Sequence, residues 1–210
     1  MVCCILCRSA KTSEYFRDEQ HCFFVCDTCT TVFRHPETWI TPLAEKERYL
    51  AHKNDVEDPG YQKFVSPLVE AVSASFPSTA LGLDFGAGTG PVVAKLLREQ
   101  SYSIVLYDPF FHTDTGVLEK KYDFVFCCEV IEHFHHPLKE FKLLKNLLKP
   151  DGKLFCMTNL WAGNSEEFES WWYKNDSTHT LFYNPANLKY IQENCDFKNI
   201  SIKGNCIKFN

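Results

Sequence analysis

From Leu81 to the end of the chain, short apolar runs alternate with segments of helical spacing. Apolar strands are predicted at Leu81–Leu83, Ile104–Tyr107, Tyr122–Cys128 and Lys153–Met157. Helices are predicted at Pro91–Gln100, Leu138–Leu148 and Pro185–Asn194. Strands separated by helices imply a parallel sheet covered on both faces. The chain ends in two further runs, Phe197–Lys203 and Cys206–Phe209, around Gly204-Asn205, which read as an antiparallel hairpin. Upstream, Tyr61, Phe64, Val65, Leu68, Val69 and Val72 recur at spacings of three and four, a helical stripe running to Phe76. Residues 37–56 read as a helical linker with Glu45, Lys46, Glu47 and Arg48 on a solvated face, broken by Pro59-Gly60.

Composition narrows the function classes. The chain has 210 residues and a net charge of −5, with acids and bases interspersed. No broad cationic field exists for nucleic acid or an anionic membrane. No apolar run approaches the roughly 20 residues needed to cross a bilayer, and the first residues lack a signal-peptide layout. Eleven cysteines, an odd number, with several inside apparent core strands, place the chain in a reducing, cytoplasmic setting. Oligomeric state cannot be read from the sequence.

Six of those cysteines fall within the first 29 residues. Cys4-x2-Cys7 and Cys26-x2-Cys29 are separated by eighteen residues, a spacing that suits one four-thiolate zinc. Cys3 and Cys22 are neighbours or substitutes. The polar segment between the pairs is too short to build a core, so metal ligation would supply its folding energy. A structural zinc ribbon over 1–36 is expected. Residues 1–50 hold six basic and seven acidic side chains, which argues against a nucleic-acid reader.

The most telling segment is Asp84-Phe-Gly-Ala-Gly-Thr-Gly90, straight after an apolar strand. Glycines at every second position make a turn with no side chains in the way, and backbone amides can approach a ligand. A dinucleotide fingerprint needs Gly-x-Gly-x-x-Gly, and Pro91 stands where its third glycine belongs. Three further segments follow in order: Ile104–Asp108, an apolar strand ending in an acid; Tyr122–His133, with Glu129-x-x-Glu132-His133; and Leu147–Gly152, with a Lys-Pro-Asp-Gly turn.

These four segments together resemble the class I S-adenosylmethionine-dependent methyltransferases. The resemblance implies a Rossmann-like, doubly wound, mostly parallel sheet closed by an antiparallel strand, over 79–210. Residues 37–78 would be a linker and cofactor lid. It also implies a site. Asp84, Gly86, Gly88 and Gly90 would cradle the methionine part of S-adenosylmethionine, and Asp108 would accept both ribose hydroxyls. Cys128 and Glu129 would form the floor, and Tyr61 would cover the cofactor, with Phe64 beside it. Only thirteen residues separate Asp108 from Tyr122, too few for the family's usual third strand and helix.

Ligands of open α/β sheets sit beyond the carboxyl ends of the strands. There the Glu129–His136 segment meets an aromatic one, Trp171-Trp172-Tyr173 to Phe182-Tyr183. Aromatic faces suit a sulfonium cation and a planar acceptor. The expected reaction is methyl transfer to a small, partly apolar acceptor at oxygen, carbon or nitrogen. The alternatives are an RNA or protein methyltransferase whose ribbon reads its substrate, and a non-catalytic cofactor-binding scaffold. A base is needed only where the acceptor must first lose a proton. His133 and His179 are the candidates, with Asp176 placed to orient His179, because histidine titrates near neutral pH.

Overall fold

The computed structural model describes residues 2–51 and 55–210; residues 52–54 of the linker lie outside it. In chain order the described elements are β1 (Thr12–Arg17), β2 (Cys22–Cys26), β3 (Val32–Arg34), α1 (Pro42–Ala51) and α2 (Pro59–Ser73). There follow β4 (Leu81–Phe85), α3 (Val92–Glu99), β5 (Ser103–Tyr107), β6 (Tyr122–Cys128), α4 (Pro137–Leu147) and β7 (Leu148–Met157). The last are α5 (Ser165–Ser170), β8 (Leu181–Phe182), α6 (Pro185–Asn194), β9 (Ile200–Lys203) and β10 (Cys206–Phe209).

The main sheet runs β5-β4-β6-β7-β10-β9. The first four strands are parallel, and β10 pairs antiparallel with both β7 and β9. Strand alternation explains the two faces. Phe124, Phe126, Phe155 and Met157 point into a core with Val65, Leu68 and Val69 of α2 and Val93 and Leu97 of α3. Val125, Cys127, Leu154 and Cys156 point the other way, onto Phe141 and Leu144 of α4 and Leu188 and Ile191 of α6. With no polar gap on either face, β6 reads as a nearly continuous apolar run, as parallel strands covered on both sides do.

Among the described residues no strand lies between β5 and β6. The chain crosses there through a single short 3-10 turn, Thr115–Glu119, pinned by the Tyr122 hydroxyl donating to the Val117 carbonyl at 2.7 Å. Thirteen residues suffice for that and nothing larger. In β7, residues 149–152 loop out, since Tyr122 pairs with Leu148 and Phe124 with Lys153. This is the Lys-Pro-Asp-Gly turn, and Lys149 Nζ closes it on Asp123 at 2.9 Å.

Three local expectations differ from the structure. Pro59-Gly60 does not break a helix but opens α2, because Asp58 caps it by accepting from the Gly60 amide at 2.7 Å. Pro91 is the cap residue before α3 and not a residue of its first turn. In α1 the charged residues divide: Glu47 and Arg48 are exposed, as expected, while Glu45 and Lys46 are half-buried. Tyr49 donates to Glu45 at 2.7 Å and Arg48 reaches Asp176 at 2.8 Å, while Leu43 and Leu50 are exposed.

The N-terminal strands belong to a second sheet, β1-β2-β3-β8, whose last strand comes from the far end of the chain. Val32 pairs with Phe182 and Phe33 with Leu181. Behind it Phe23, Phe168, Tyr173 and Phe182 pack into an aromatic cluster with Trp161. Arg34, 3% exposed, anchors the join: Nε donates to the His179 carbonyl at 3.0 Å, and Nη2 to those of Lys174 and Asp176, each at 2.9 Å. The segment before residue 36 is thereby welded to the loop that carries His179.

Candidate active site

A cavity of about 750 Å³ opens at the carboxyl ends of β4, β5 and β6. Asp84, Gly86, Gly88, Gly90, Asp108, Tyr61, Cys128, Glu129, His133 and His179 all line it. The two turn glycines serve different ends. Gly86 has φ 89°, and a Cβ there would lie 2.5 Å from a Val130 methyl. Gly88 has φ 59° and open space beside it, with nothing within 4 Å of an added Cβ. Gly86 therefore lets the turn close onto Val130, and Gly88 leaves bare backbone facing the cavity.

The acids frame this turn. Asp84 is 4% exposed, and desolvation pushes its carboxyl up to about 8, with Arg98 opposing and Asp108 reinforcing. Asp108 is committed more deeply than expected. Its Oδ1 accepts from the amides of Phe110 (2.8 Å) and Phe111 (3.1 Å), and its Oδ2 from that of Gly88 (3.0 Å). A carboxylate has about four acceptor directions, so one remains. Asp108 ties the tip of β5 to the glycine turn and can take one hydroxyl with its bonds intact, not two. Tyr61 lines the cavity, while Phe64 stacks on it at 6.0 Å and is 40% exposed.

The opposite wall is built from the end of β6 and from residues 172–179. Glu129 has φ 51°, an uncommon conformation for a residue with a side chain. That turn leads into Ile131–His133, a 3-10 turn. Glu132 is fully buried. The Tyr173 hydroxyl lies 3.0 Å from Glu129 Oε2 and also hydrogen-bonds Glu132 Oε1 and Thr158. One phenolic proton cannot satisfy two carboxylates. Glu129 Oε1 and Glu132 Oε2 are buried without a partner. Desolvation and then the Glu132 charge push the Glu129 carboxyl up to about 9.

The two histidines meet here, with ring centroids 4.9 Å apart. His133 Nδ1 lies 3.1 Å from the Thr178 carbonyl, and His179 Nδ1 lies 2.8 Å from that of Tyr173. A carbonyl only accepts, so each Nδ1 carries a proton, and in the neutral ring Nε2 is the nitrogen with the lone pair. Burial, with His133 beside it, lowers His179 to about 4, which keeps it neutral. Asp176 does not orient it. Its Oδ1 accepts from Thr178 and its Oδ2 from Arg48. Burial works against the Asp176 charge, but those bonds outweigh it and hold the carboxyl well below its ordinary range.

The aromatic segment divides between packing and site. Trp171 stacks into the core on Trp161 at 4.8 Å, and Phe182 and Tyr183 are buried. Trp172, 67% exposed, and Tyr173 reach the cavity. Residues that sequence reasoning missed are Glu45 and Tyr49 of α1, with Phe110 and Phe111 after β5, all lining the cavity.

Separately, Cys4, Cys7, Cys26 and Cys29 bring their sulfurs within 4.8 Å of one another. Cys3 is exposed, and neither it nor Cys22 is in the group. The Cys4–Cys29 and Cys7–Cys26 sulfurs are each 3.5 Å apart. A tetrahedral ion with Zn–S bonds of about 2.3 Å holds its thiolates about 3.8 Å apart. The two pairs are matched knuckles. Arg8 and Thr30, each just after the second cysteine of a pair, have φ 62° and 58° and donate back to the Cys4 and Cys26 carbonyls at 3.0 and 2.8 Å. Without a cation these sulfurs resist joint ionisation. The bond to Cys29 and burial hold Cys4 protonated, burial pushes Cys7 up to about 12, and Cys29, receiving from Cys4, falls to about 5.

A family model described as a methyltransferase domain matches residues 59–202, more than half of the chain. The chain belongs to this methyltransferase-domain family. Curated proteins similar to this family member include the ubiquinone biosynthesis O-methyltransferase of Actinobacillus pleuropneumoniae, 33% identical over 85 residues, 39% of this chain and 36% of that one. That of Cereibacter sphaeroides is 35% identical over 88 residues, 40% and 36% of the two chains. The matched stretch spans about a third of the length of these relatives. Among solved structures, the Burkholderia thailandensis 1,6-didemethyltoxoflavin-N1-methyltransferase, with its namesake compound and S-adenosylhomocysteine bound, shares the fold. Its TM-score is 0.56 at 14% identity, over 94% of this chain and 97% of that one. Human N-acetylserotonin methyltransferase in complex with SAM has a TM-score of 0.53 at 14% identity, over 80% of this chain and 65% of that one.

Proposed function

We propose that this protein is an enzyme that methylates a small, partly apolar, hydroxyl-bearing acceptor with S-adenosylmethionine. One observation carries the proposal: a single cavity, about 750 Å³, runs from the Gly88 turn to His133 and His179. That size falls within the roughly 300–1,000 Å³ of small-molecule clefts. When bound, S-adenosylmethionine supplies a methyl group already activated on a sulfonium. Asp84 and the turn Gly86–Gly90 hold its methionine end, Asp108 takes one ribose hydroxyl, and Tyr61, Cys128 and Glu129 complete the wall. Orientation is the protein's main contribution to such a displacement. His133 and His179 line the end of the cavity where the acceptor hydroxyl would sit and position it. Trp172 and Tyr173 offer faces for a planar acceptor.

We further propose that Cys4, Cys7, Cys26 and Cys29 hold a structural zinc, which relieves the four-thiol cluster and rigidifies the sheet carrying Arg34. All eleven cysteines are free, as in a reducing compartment, and among the described residues no helix is long and apolar enough to cross a membrane. The mixed charges of residues 1–50 support a small acceptor over RNA.

The test is calorimetric titration with S-adenosylhomocysteine, then transfer of labelled methyl from S-adenosylmethionine to a panel of small phenols and catechols. A saturable isotherm and labelled product are expected. No binding at millimolar ligand overturns the reading. A tight, steeply salt-dependent complex with ribosomal or transfer RNA would replace the small acceptor with RNA.

A further inference from the structure

We propose that Glu132, His133 and His179 form a second metal site, which binds a divalent cation at the floor of the acceptor end of the cavity. One ring nitrogen of each histidine and one Glu132 carboxylate oxygen lie within 4.8 Å of one another. No cysteine takes part, so this donor set is distinct from the thiolate cluster. The proposal rests on the methyltransferase reading of the same cavity.

Two independent features point to a cation there. The first is the histidine geometry. Both Nδ1 atoms are tied to carbonyls, of Thr178 at 3.1 Å and Tyr173 at 2.8 Å. A carbonyl that fixes one ring nitrogen and frees the other is what holds a metal-ligating imidazole in place. The second is an electrostatic deficit. Glu132 is fully buried and its Oε2 has no partner, and Glu129 Oε1 beside it is also buried and unpartnered. Between the two acids lies one phenolic proton, that of Tyr173. An isolated buried carboxylate is costly unless paired or coordinating a metal. A divalent cation between Glu132 and the two Nε2 atoms supplies what the fold leaves out.

Two imidazoles and a carboxylate, with open positions toward a cavity, suit cations such as Mn²⁺, Fe²⁺, Co²⁺ or Zn²⁺ that bind nitrogen and oxygen. The open positions give the site its use. A cation there accepts a lone pair of the acceptor hydroxyl and weakens its O–H bond; the proton passes to water and the electron pair stays on oxygen. In the loaded protein the cation would acidify that hydroxyl, water would take the proton, and the histidines act by holding the cation. The substrate class follows: an acceptor whose reactive atom is a hydroxyl oxygen, best with a second oxygen adjacent to fill another open position.

The experiment uses zinc-loaded full-length protein and Mn²⁺, which competes poorly for thiolates. Electron paramagnetic resonance of free Mn²⁺ counts bound cation without reference to turnover. One Mn²⁺ per chain is expected beyond the zinc. Glu132→Gln, His133→Ala and His179→Ala should each weaken it by about tenfold or more. Zinc content and the S-adenosylhomocysteine isotherm should persist in each variant. No Mn²⁺ binding by the unaltered protein at millimolar concentration overturns the proposal, whatever the variants do. So does a His133→Ala protein that binds S-adenosylhomocysteine normally and retains Mn²⁺ within twofold. In that case the two acids only share a proton. Loss of the S-adenosylhomocysteine isotherm in the unaltered protein sinks the methyltransferase reading instead, and the two failures are told apart by which titration is flat.

Discussion

Arg34 offers the sharpest test of how the cysteine-bearing segment and the candidate active site depend on each other. It leaves β3 and spends all its observed bonds on three carbonyls of the loop that ends in His179: Lys174, Asp176 and His179, at 2.9–3.0 Å. Its guanidinium also sits 4.8 Å over the Phe23 ring. Arg34→Met keeps the apolar stem and removes the fork. Hydrogen bonds to a charged group contribute about 1.5–3 kcal/mol each. The gross loss is therefore several kcal/mol, offset by the desolvation cost that the guanidinium no longer bears. Removing one side of a buried charged network costs about 3–5 kcal/mol net. For a chain near 200 residues each kcal/mol lowers the melting temperature by about 2–4 °C, so a fall of roughly 6–20 °C is expected in scanning calorimetry.

The loss should be unequal across functions. Asp84, Gly86 and Gly88 sit on β4 and its turn, and none of them bonds Arg34. S-adenosylhomocysteine affinity should stay within about threefold. Methyl transfer should fall by about a hundredfold, because displacement of a positioned group by about 1 Å costs that much. Arg34→Lys, with a single ammonium and no fork, should fall in between. An Arg34→Met protein that melts within 2 °C of the parent, or that loses cofactor binding and transfer in equal measure, refutes the coupling. Chelating the zinc proposed for the cysteine cluster should imitate the substitution, since β2 ends at Cys26 and pairs with β3, which pairs with β8.

Two further tests address the cofactor end. Gly88→Ala meets open space, so the melting temperature should drop only by the roughly 1 kcal/mol strain of its left-handed backbone, while S-adenosylhomocysteine affinity drops at least about tenfold in calorimetry; unchanged affinity would move the ligand elsewhere. Gly86→Ala drives a methyl into Val130 at 2.5 Å and should lower stability far more than Gly88→Ala does. For Asp84, the folded acid titrates near 8 and the unfolded one near 3.8. Between those values the native chain holds a proton that the unfolded chain has released, so stability falls as pH rises from about 4 to 8. Melting curves of Asp84→Asn should lack that part of the decline; curves parallel to the parent's refute the assignment.

How much of this was legible in the sequence depended on the range of the interactions involved. Asp84–Gly90 could be read because a strand end, an acid and alternating glycines act within one turn. Pro185–Asn194 was found to the residue because Asn184 and Pro185 mark its start locally. The grouping of Cys4 and Cys7 with Cys26 and Cys29 followed from spacing. Other features were hidden because their partners are distant. Nothing near Arg34 signals that its acceptors lie about 140 positions onward. Asp108 looked free to take two hydroxyls; Phe110 and Phe111 occupy one oxygen through a local turn, but Gly88 donates to the other only once β5 lies beside the glycine turn. The charged run of α1 looked solvated by composition, and Glu47 and Arg48 are, yet Glu45 lines the cavity with Tyr49 while Leu43 and Leu50 are exposed.

The same distinction bears on His179. Taken alone along the chain, Asp176 and His179 at a separation of three suggest an acid orienting a base. In the fold Asp176 turns to Arg48 and Thr178, and the orienting group is the Tyr173 carbonyl. That substitution changes the chemistry available. An aspartate against Nδ1 would raise the basicity of His179 and favour its charged form. A carbonyl fixes the tautomer without stabilising a positive charge as strongly, and burial lowers the ring to about 4. So neutral an imidazole is a poor store for a proton taken from a hydroxyl near pH 7 and a good donor of a lone pair. With Glu132 carrying an unpartnered oxygen beside it, the arrangement is better matched to holding a cation than to acting as a free base.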